Sequence, residues 1–168
     1  EYSYDSKGYL VSVKDSSGTM SFVYDSVGNL TKQTNANGEV IEYSYDKLGN
    51  VTLIKTPNTS TKYEYDILGR LSKVTDKNNL VTKYTYDNIG NLIKEVVTEN
   101  EKVTLTASYS YDAVGNRLTK IENNITTNYS YDKNNILLKE GNISYTYDNA
   151  GNLIKKQSTE ETTEYALL

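Results

Sequence analysis

Eight aspartates recur along the chain at Asp5, Asp25, Asp46, Asp66, Asp87, Asp112, Asp132 and Asp148, each directly after a tyrosine. A row of carboxylates could serve general acid–base chemistry or bind a hard cation. Both uses need company. The chain has no His, no Cys and no Gly-x-Ser-x-Gly. Each repeat supplies one carboxylate, and the Gly-Gly-x-Gly-x-Asp pattern of calcium-binding repeats is missing. These aspartates therefore read as turn acceptors, with no catalytic residue, metal site or cofactor expected. With 18 basic and 22 acidic residues and no basic cluster, nucleic acid is not an expected partner.

Tyrosine is the second chemical signal. There are 17 tyrosines, one Phe and no Trp. Exposed aromatic rows stack on sugar rings, so a carbohydrate-binding module with repeats of about twenty residues is the rival to a structural reading. Wall-binding modules of that kind use Trp heavily. Ring exposure separates the two readings, because a buried ring cannot stack on a sugar.

The elements that position these residues follow from spacing. Aligned on the tyrosine before Asp, the units begin at Tyr4, Tyr24, Tyr45, Tyr65, Tyr86, Tyr111, Tyr131 and Tyr147, at steps of 20, 21, 20, 21, 25, 20 and 16. In seven units another tyrosine stands two residues earlier, and the remaining unit has Phe22 there. Residues i and i+2 share a face only in a strand. "TKYEYD" and "TKYTYD" are therefore half-buried strands. The Asp-x-x-Gly that follows favours a type I turn, with Asp at the first position and a left-handed Gly at the fourth. The glycines are Gly8, Gly28, Gly49, Gly69, Gly90, Gly115 and Gly151; the seventh unit has Asn135, the next best left-handed residue. A second strand and a second turn close each unit, giving an all-β antiparallel meander of hairpins. The 25-residue step is expected to lengthen two strands and their turn.

Tyr-Asp-x-x-Gly-Asn at steps near twenty resembles the YD repeats of the Rhs family, found in bacterial Rhs and wall-associated toxins, Tc-toxin C components and teneurins. The resemblance covers essentially residues 1–168, read as one array of about eight repeats. It implies a twisted, curved segment of a β-shell enclosing or displaying a toxin or other cargo domain of the same parent chain, secreted or at a bacterial cell surface. Tyr9 and Arg70 depart from the motif's Asn, and Asn135 from its Gly. No self-cleavage segment or toxin domain of that family is present, so cargo chemistry is expected elsewhere in a longer chain. No apolar run is long enough for a membrane span.

Register arithmetic adds finer expectations. Pairing Asp15 with Thr19 places Leu10 opposite Tyr24, and Tyr24 opposite Leu30. Lys32, Lys73, Lys94, Lys139 and Lys155 then fall opposite the earlier aromatic of each pair. Keeping the tyrosines on one face calls for a four-residue loop Asn35-Ala36-Asn37-Gly38 pairing Thr34 with Glu39, and an odd loop Glu140-Gly141-Asn142. With two open edges and an aromatic face, the isolated chain is expected to self-associate through edges or faces.

Overall fold

The computed structural model describes residues 1–166. Among them are seventeen strands and no helix. The chain divides into two compact units. The first spans residues 1–83 with 98–102, and the second runs from Tyr84 through Val97 and from Val103 onward.

In the first unit lie β1 (Tyr2–Tyr4), β2 (Leu10–Asp15), β3 (Gly18–Tyr24), β4 (Leu30–Thr34), β5 (Val40–Tyr45), β6 (Val51–Lys55), β7 (Ser60–Tyr65), β8 (Leu71–Asp76) and the start of β9 (Val81–Tyr86). Each pairs antiparallel with its neighbour in sequence. In the second unit, β11 (Lys102–Tyr111), β12 (Arg117–Glu122), β13 (Ile125–Tyr131), β14 (Leu137–Glu140), β15 (Ile143–Tyr147), β16 (Leu153–Gln157) and β17 (Thr162–Glu164) do the same. The 25-residue step lengthens β10 (Leu92–Glu99) and β11, as expected. The turn between them, expected to lengthen too, is instead short: only Asn100 and Glu101 lie between the strands, both at positive φ. That is the signature of a tight two-residue hairpin.

Within each unit a strand touches only its sequence neighbours, so each unit is a single sheet layer. Ala107 is the one buried residue among those described. Alternation is clean nonetheless. In β5, Ile41, Tyr43 and Tyr45 are half-buried while Glu42 and Ser44 are exposed. β7 and β9 repeat that pattern. With no second layer, the apolar face is covered only by its own cross-strand neighbours.

The hairpins carrying the turns at Asp5, Asp25, Asp46, Asp66, Asp112, Asp132 and Asp148 each contain a β-bulge. Tyr4 pairs with Leu10 but Ser3 pairs with Ser12, which leaves Val11 as the extra residue. The same shift follows Tyr24, Tyr45, Tyr65, Tyr111, Tyr131 and Tyr147. A bulge inserts one residue into one strand and flips the facing of everything beyond it.

This corrects the register arithmetic. Asp15 pairs with Gly18 across Ser16 and Ser17, not with Thr19. Tyr24 pairs with Leu30 as expected, but Leu10 is not its opposite: the β2–β3 ladder ends at Ser12 and Ser21. Thr34 pairs with Val40, and Asn35 donates its N–H to the Glu39 carbonyl, so this loop repeats the Tyr-Asp turn geometry. Glu140 pairs with Ile143 across a two-residue loop, Gly141 and Asn142. The lysines move by one residue as well. Lys32, Lys73, Lys139 and Lys155 pair with Val23, Glu64, Ser130 and Thr146, on the face away from the rings.

The constant face itself stands. Phe22 pairs with Gln33, which pairs with Ile41, and alternation carries that face to Tyr43 and Tyr45. Tyr24, two residues from Phe22, lies on it too. In the second unit Tyr109, Lys120 and Thr127 are register partners in succession, leading to Tyr129 and Tyr131. One bulge per hairpin supplies the parity that the arithmetic sought in loop length.

Candidate functional site: the Tyr-Asp turn and the tyrosine face

The turn at Asp66 shows how the motif is fastened. Its N–H donates to the Arg70 carbonyl at 2.9 Å, and Gly69 donates back to the Asp66 carbonyl at 3.0 Å. The carboxylate Oδ1 accepts the N–H groups of Leu68 and Arg70 at 2.9 and 3.0 Å. The Arg70 Nε donates to Oδ2 at 2.7 Å. All eight motif aspartates accept two backbone N–H groups in this way.

The motif's Asn has a role that spacing did not reveal. The side-chain amides of Asn29, Asn50, Asn91, Asn116 and Asn152 donate to the second carboxylate oxygen of their own turn's Asp at 2.9–3.0 Å. Arg70 takes the same place with a charged donor. Side-chain amides of Asn50, Asn116 and Asn152 hold Asp46, Asp112 and Asp148 below the ordinary carboxylate value. The backbone N–H groups of Asn29 and Arg70 do so first for Asp25 and Asp66. At Asp87 desolvation is the largest influence and opposes the shift, yet the bonds from Asn91, Ile89 and Gly90 together outweigh it. A carboxylate held ionised makes a poor proton donor near neutral pH. Among the described residues, no three potential ligands come close enough to hold a metal ion.

The fourth turn position is left-handed throughout. Gly69 has φ of +77° and Asn135, in the same slot, +64°.

The tyrosine after the aromatic pair's spacer forms the link between repeats. Tyr24, Tyr45, Tyr65 and Tyr111 donate their hydroxyls to the carbonyls of Leu10, Leu30, Val51 and Leu92 at 3.0, 2.7, 2.8 and 2.8 Å. Tyr131 also has a hydrogen bond with the backbone of Arg117. Each acceptor belongs to the residue that opens the strand after the previous turn, just before the bulge. The regular ladders stop two residues short of the first three acceptors, at Ser12, Lys32 and Leu53. The hydroxyl thus satisfies a carbonyl that the bulge removes from the ladder. Burial raises the pKa of Tyr45 and Tyr131, and does so for Tyr109 together with Glu95. Tyr86 and Tyr147 hold the same position on β9 and β15. Tyr4, on the first strand, is 62% exposed.

Two local variations stand out. Tyr9, in place of Asn, stacks on Tyr24 with centroids 5.0 Å apart and lies against Gly28 of the next turn. In the second unit Arg117 takes a position that is aliphatic in the other repeats. Its guanidinium sits 4.8 Å from the Tyr109 ring centroid and 5.7 Å from that of Tyr129. Nearby, Glu140 accepts the hydroxyls of Tyr129 and Tyr145 at 3.3 and 2.9 Å. Burial first, then Glu140, pushes the Tyr145 phenol up to about 12. The only sequence signal for this cluster is an Arg where its counterparts are Leu or Val.

Residues 24–61 match the RHS Repeat family, and residues 50–166 match the family described as Teneurin YD-shell. No match to a curated protein sequence is found. Among solved structures, the chain superposes on the crystal structure of TcdB2-TccC3-TEV with a TM-score of 0.80 at 19% identity, covering 96% of this chain and 11% of that one. The TcdB2-TccC3-Cdc42 crystal structure gives 0.77 at 18%, covering 97% and 11%. A Photorhabdus luminescens Tc holotoxin pore gives 0.75 at 21%, covering 92% and 10%. The chain spans about a tenth of those chains, and at such identities the likeness is one of fold. With a family match over residues 50–166 and the hairpin geometry throughout, the chain belongs to the teneurin YD-shell family of Rhs-type repeats.

Proposed function

We propose that this chain is a non-catalytic stretch of shell wall in a longer protein, and that the shell encloses or displays a cargo or toxin domain of the same parent chain. Residues 1–168 act as one continuous repeat array, secreted or carried at a bacterial cell surface. The Tyr, Asp and Gly (or Asn135) of each motif are fasteners: Asp and Gly set the turn, and Tyr joins one hairpin to the next. The observation that carries this reading is the single-layer sheet. Its hydrogen bonds are local to adjacent repeats, and it has almost no core of its own. A wall needs that extensibility, whereas a free-standing domain needs a core.

The test is limited proteolysis of the full-length parent chain. The cargo segment should resist cleavage while the wall is intact and become sensitive when a turn is broken by Gly69→Val. Equal sensitivity in both proteins sinks the enclosure reading.

Sugar binding is the second reading, favoured only by the open rings of Tyr2 and Tyr4, 67% and 62% exposed. Most other rings are half-buried, and several are tied through their hydroxyls. Glycan-array binding that is lost in Tyr2→Ala/Tyr4→Ala would favour it.

A further inference from the structure

One slot on the tyrosine face changes character in the second unit. The residue two places after the left-handed turn position is Leu or Val in seven repeats and Arg117 in the sixth. Leucine fills that slot with no polar atom to satisfy. An arginine there gives up water, and its buried Nε has no hydrogen-bond partner. None of the ion pairs among the described residues includes it. Taken alone, such a residue costs local stability.

Its surroundings hold the charge through tyrosines. The guanidinium lies against the Tyr109 and Tyr129 rings and donates to the hydroxyls of Tyr129 and Tyr111. The Tyr129 hydroxyl in turn donates to Glu140, and Tyr145 donates to the other oxygen of the same carboxylate. On the opposite side, Tyr109 donates to Glu95 at 3.3 Å. Register sets Glu140 opposite Tyr129 on β14, two strands from Arg117 on β12. Two strands are about 9.6 Å, and the tyrosine on the strand between carries the contact. The links run from Glu95 on β10 to Tyr145 on β15 and touch four successive repeats. The hydroxyls of Tyr24, Tyr45 and Tyr65, by comparison, each join a repeat only to the one before it.

We propose that Arg117 is a positioning residue, the hub of a polar relay that makes β10 to β15 open and close as one body while the first unit opens hairpin by hairpin. Repeat arrays ordinarily draw their stability from nearest neighbours alone, and they open in local blocks. A hydrogen-bonded network screened from water couples its members beyond pairwise contact. A change at one end of this relay therefore reaches the other end through the guanidinium. The relay deepens the wall reading by giving the wall a stiff block. It is measured without reference to any cargo, so it and the enclosure reading fail separately.

Hydrogen exchange of the full-length parent chain, followed peptide by peptide with mass spectrometry, tests this. Glu140→Gln changes one carboxylate on β14. With Arg117 in place it should speed exchange about tenfold in β10 and β11 as well as in β13 to β15, and leave β2 to β8 unchanged. In an Arg117→Leu background the effect of Glu140→Gln should not pass β12. Arg117→Lys should behave as Arg117→Leu does, because an ammonium lacks the planar fork that stacks on the rings and reaches two hydroxyls. A Glu140→Gln effect that stops at β12 with Arg117 in place overturns the proposal, and that comparison decides by itself should Arg117→Leu fail to fold. An effect that reaches β10 and β11 equally in both backgrounds overturns it too.

Discussion

Removing one hydroxyl, in Tyr65→Phe, isolates the link between repeats. The ring and its packing stay, and the bond to the Val51 carbonyl at 2.8 Å goes. A net intramolecular hydrogen bond contributes roughly 0.5–1.5 kcal/mol, and a carbonyl left without a partner sets the cost toward the upper half of that range. The site is only half-buried, and water recovers part of the loss. We therefore expect destabilisation of about 1 kcal/mol, read as a fall in the denaturant midpoint with unchanged slope. In a chain of this size that corresponds to a melting shift of roughly 2–4 °C. Tyr63→Phe is the internal control. Tyr63 shares the face and strand, but its hydroxyl is not seen bonding a carbonyl, so the change should stay within about 0.5 kcal/mol. The triple variant Tyr24→Phe/Tyr45→Phe/Tyr65→Phe should approach about 3 kcal/mol if the sites act independently. Equal small losses for Tyr65→Phe and Tyr63→Phe would show that the hydroxyls do not join the repeats.

Gly69→Val should cost more than about 1 kcal/mol, from positive φ and not from a clash, since the space around a Cβ there is open. Gly69→Asn should be mild, because Asn135 already adopts that conformation; a denaturant titration compares them. Gly28→Ala should cost more than Gly49→Ala, because a Cβ at Gly28 meets the Tyr9 ring at 2.9 Å whereas Gly49 has open space; thermal melts decide. Six motif aspartates have folded pKa values lowered by their turn bonds. Their stabilisation is full above the unfolded value and is lost as pH falls through the folded ones, so stability should drop below about pH 4, as equilibrium unfolding against pH will show. Tyr145 is raised to about 12, so its contribution is present below about pH 10 and lost as pH rises toward that value. An alkaline absorbance titration should show its ionisation late, and Glu140→Gln should bring it earlier.

Much of the fold is legible in the residues. Tyr-x-Tyr specifies a strand with one aromatic face, and Asp-x-x-Gly specifies its turn. Asn135 in place of Gly keeps the same left-handed backbone. The bulge is not legible. Val11, Thr31 and Ser72, one to each hairpin, carry no shared chemical mark that would distinguish a bulged residue from a paired one. Missing it shifted the lysines to the wrong face and misassigned the loops at Asn35 and Gly141. The tyrosine hydroxyl's need for an acceptor was foreseeable, but its partner was not, because the acceptor exists only where the bulge ends the ladder. The Asn after Gly was visible as a repeated letter. Its bond to the Asp carboxylate requires the turn geometry to be seen.

The central claim is that these repeats are wall, and the direct measurement is a cryo-electron microscopy map of the full-length parent chain. The account predicts that residues 1–168 run as consecutive hairpins in a continuous wall around a lumen holding cargo density. A map in which they stand apart as a module with the tyrosine face open to solvent and no enclosed volume beside them would contradict it.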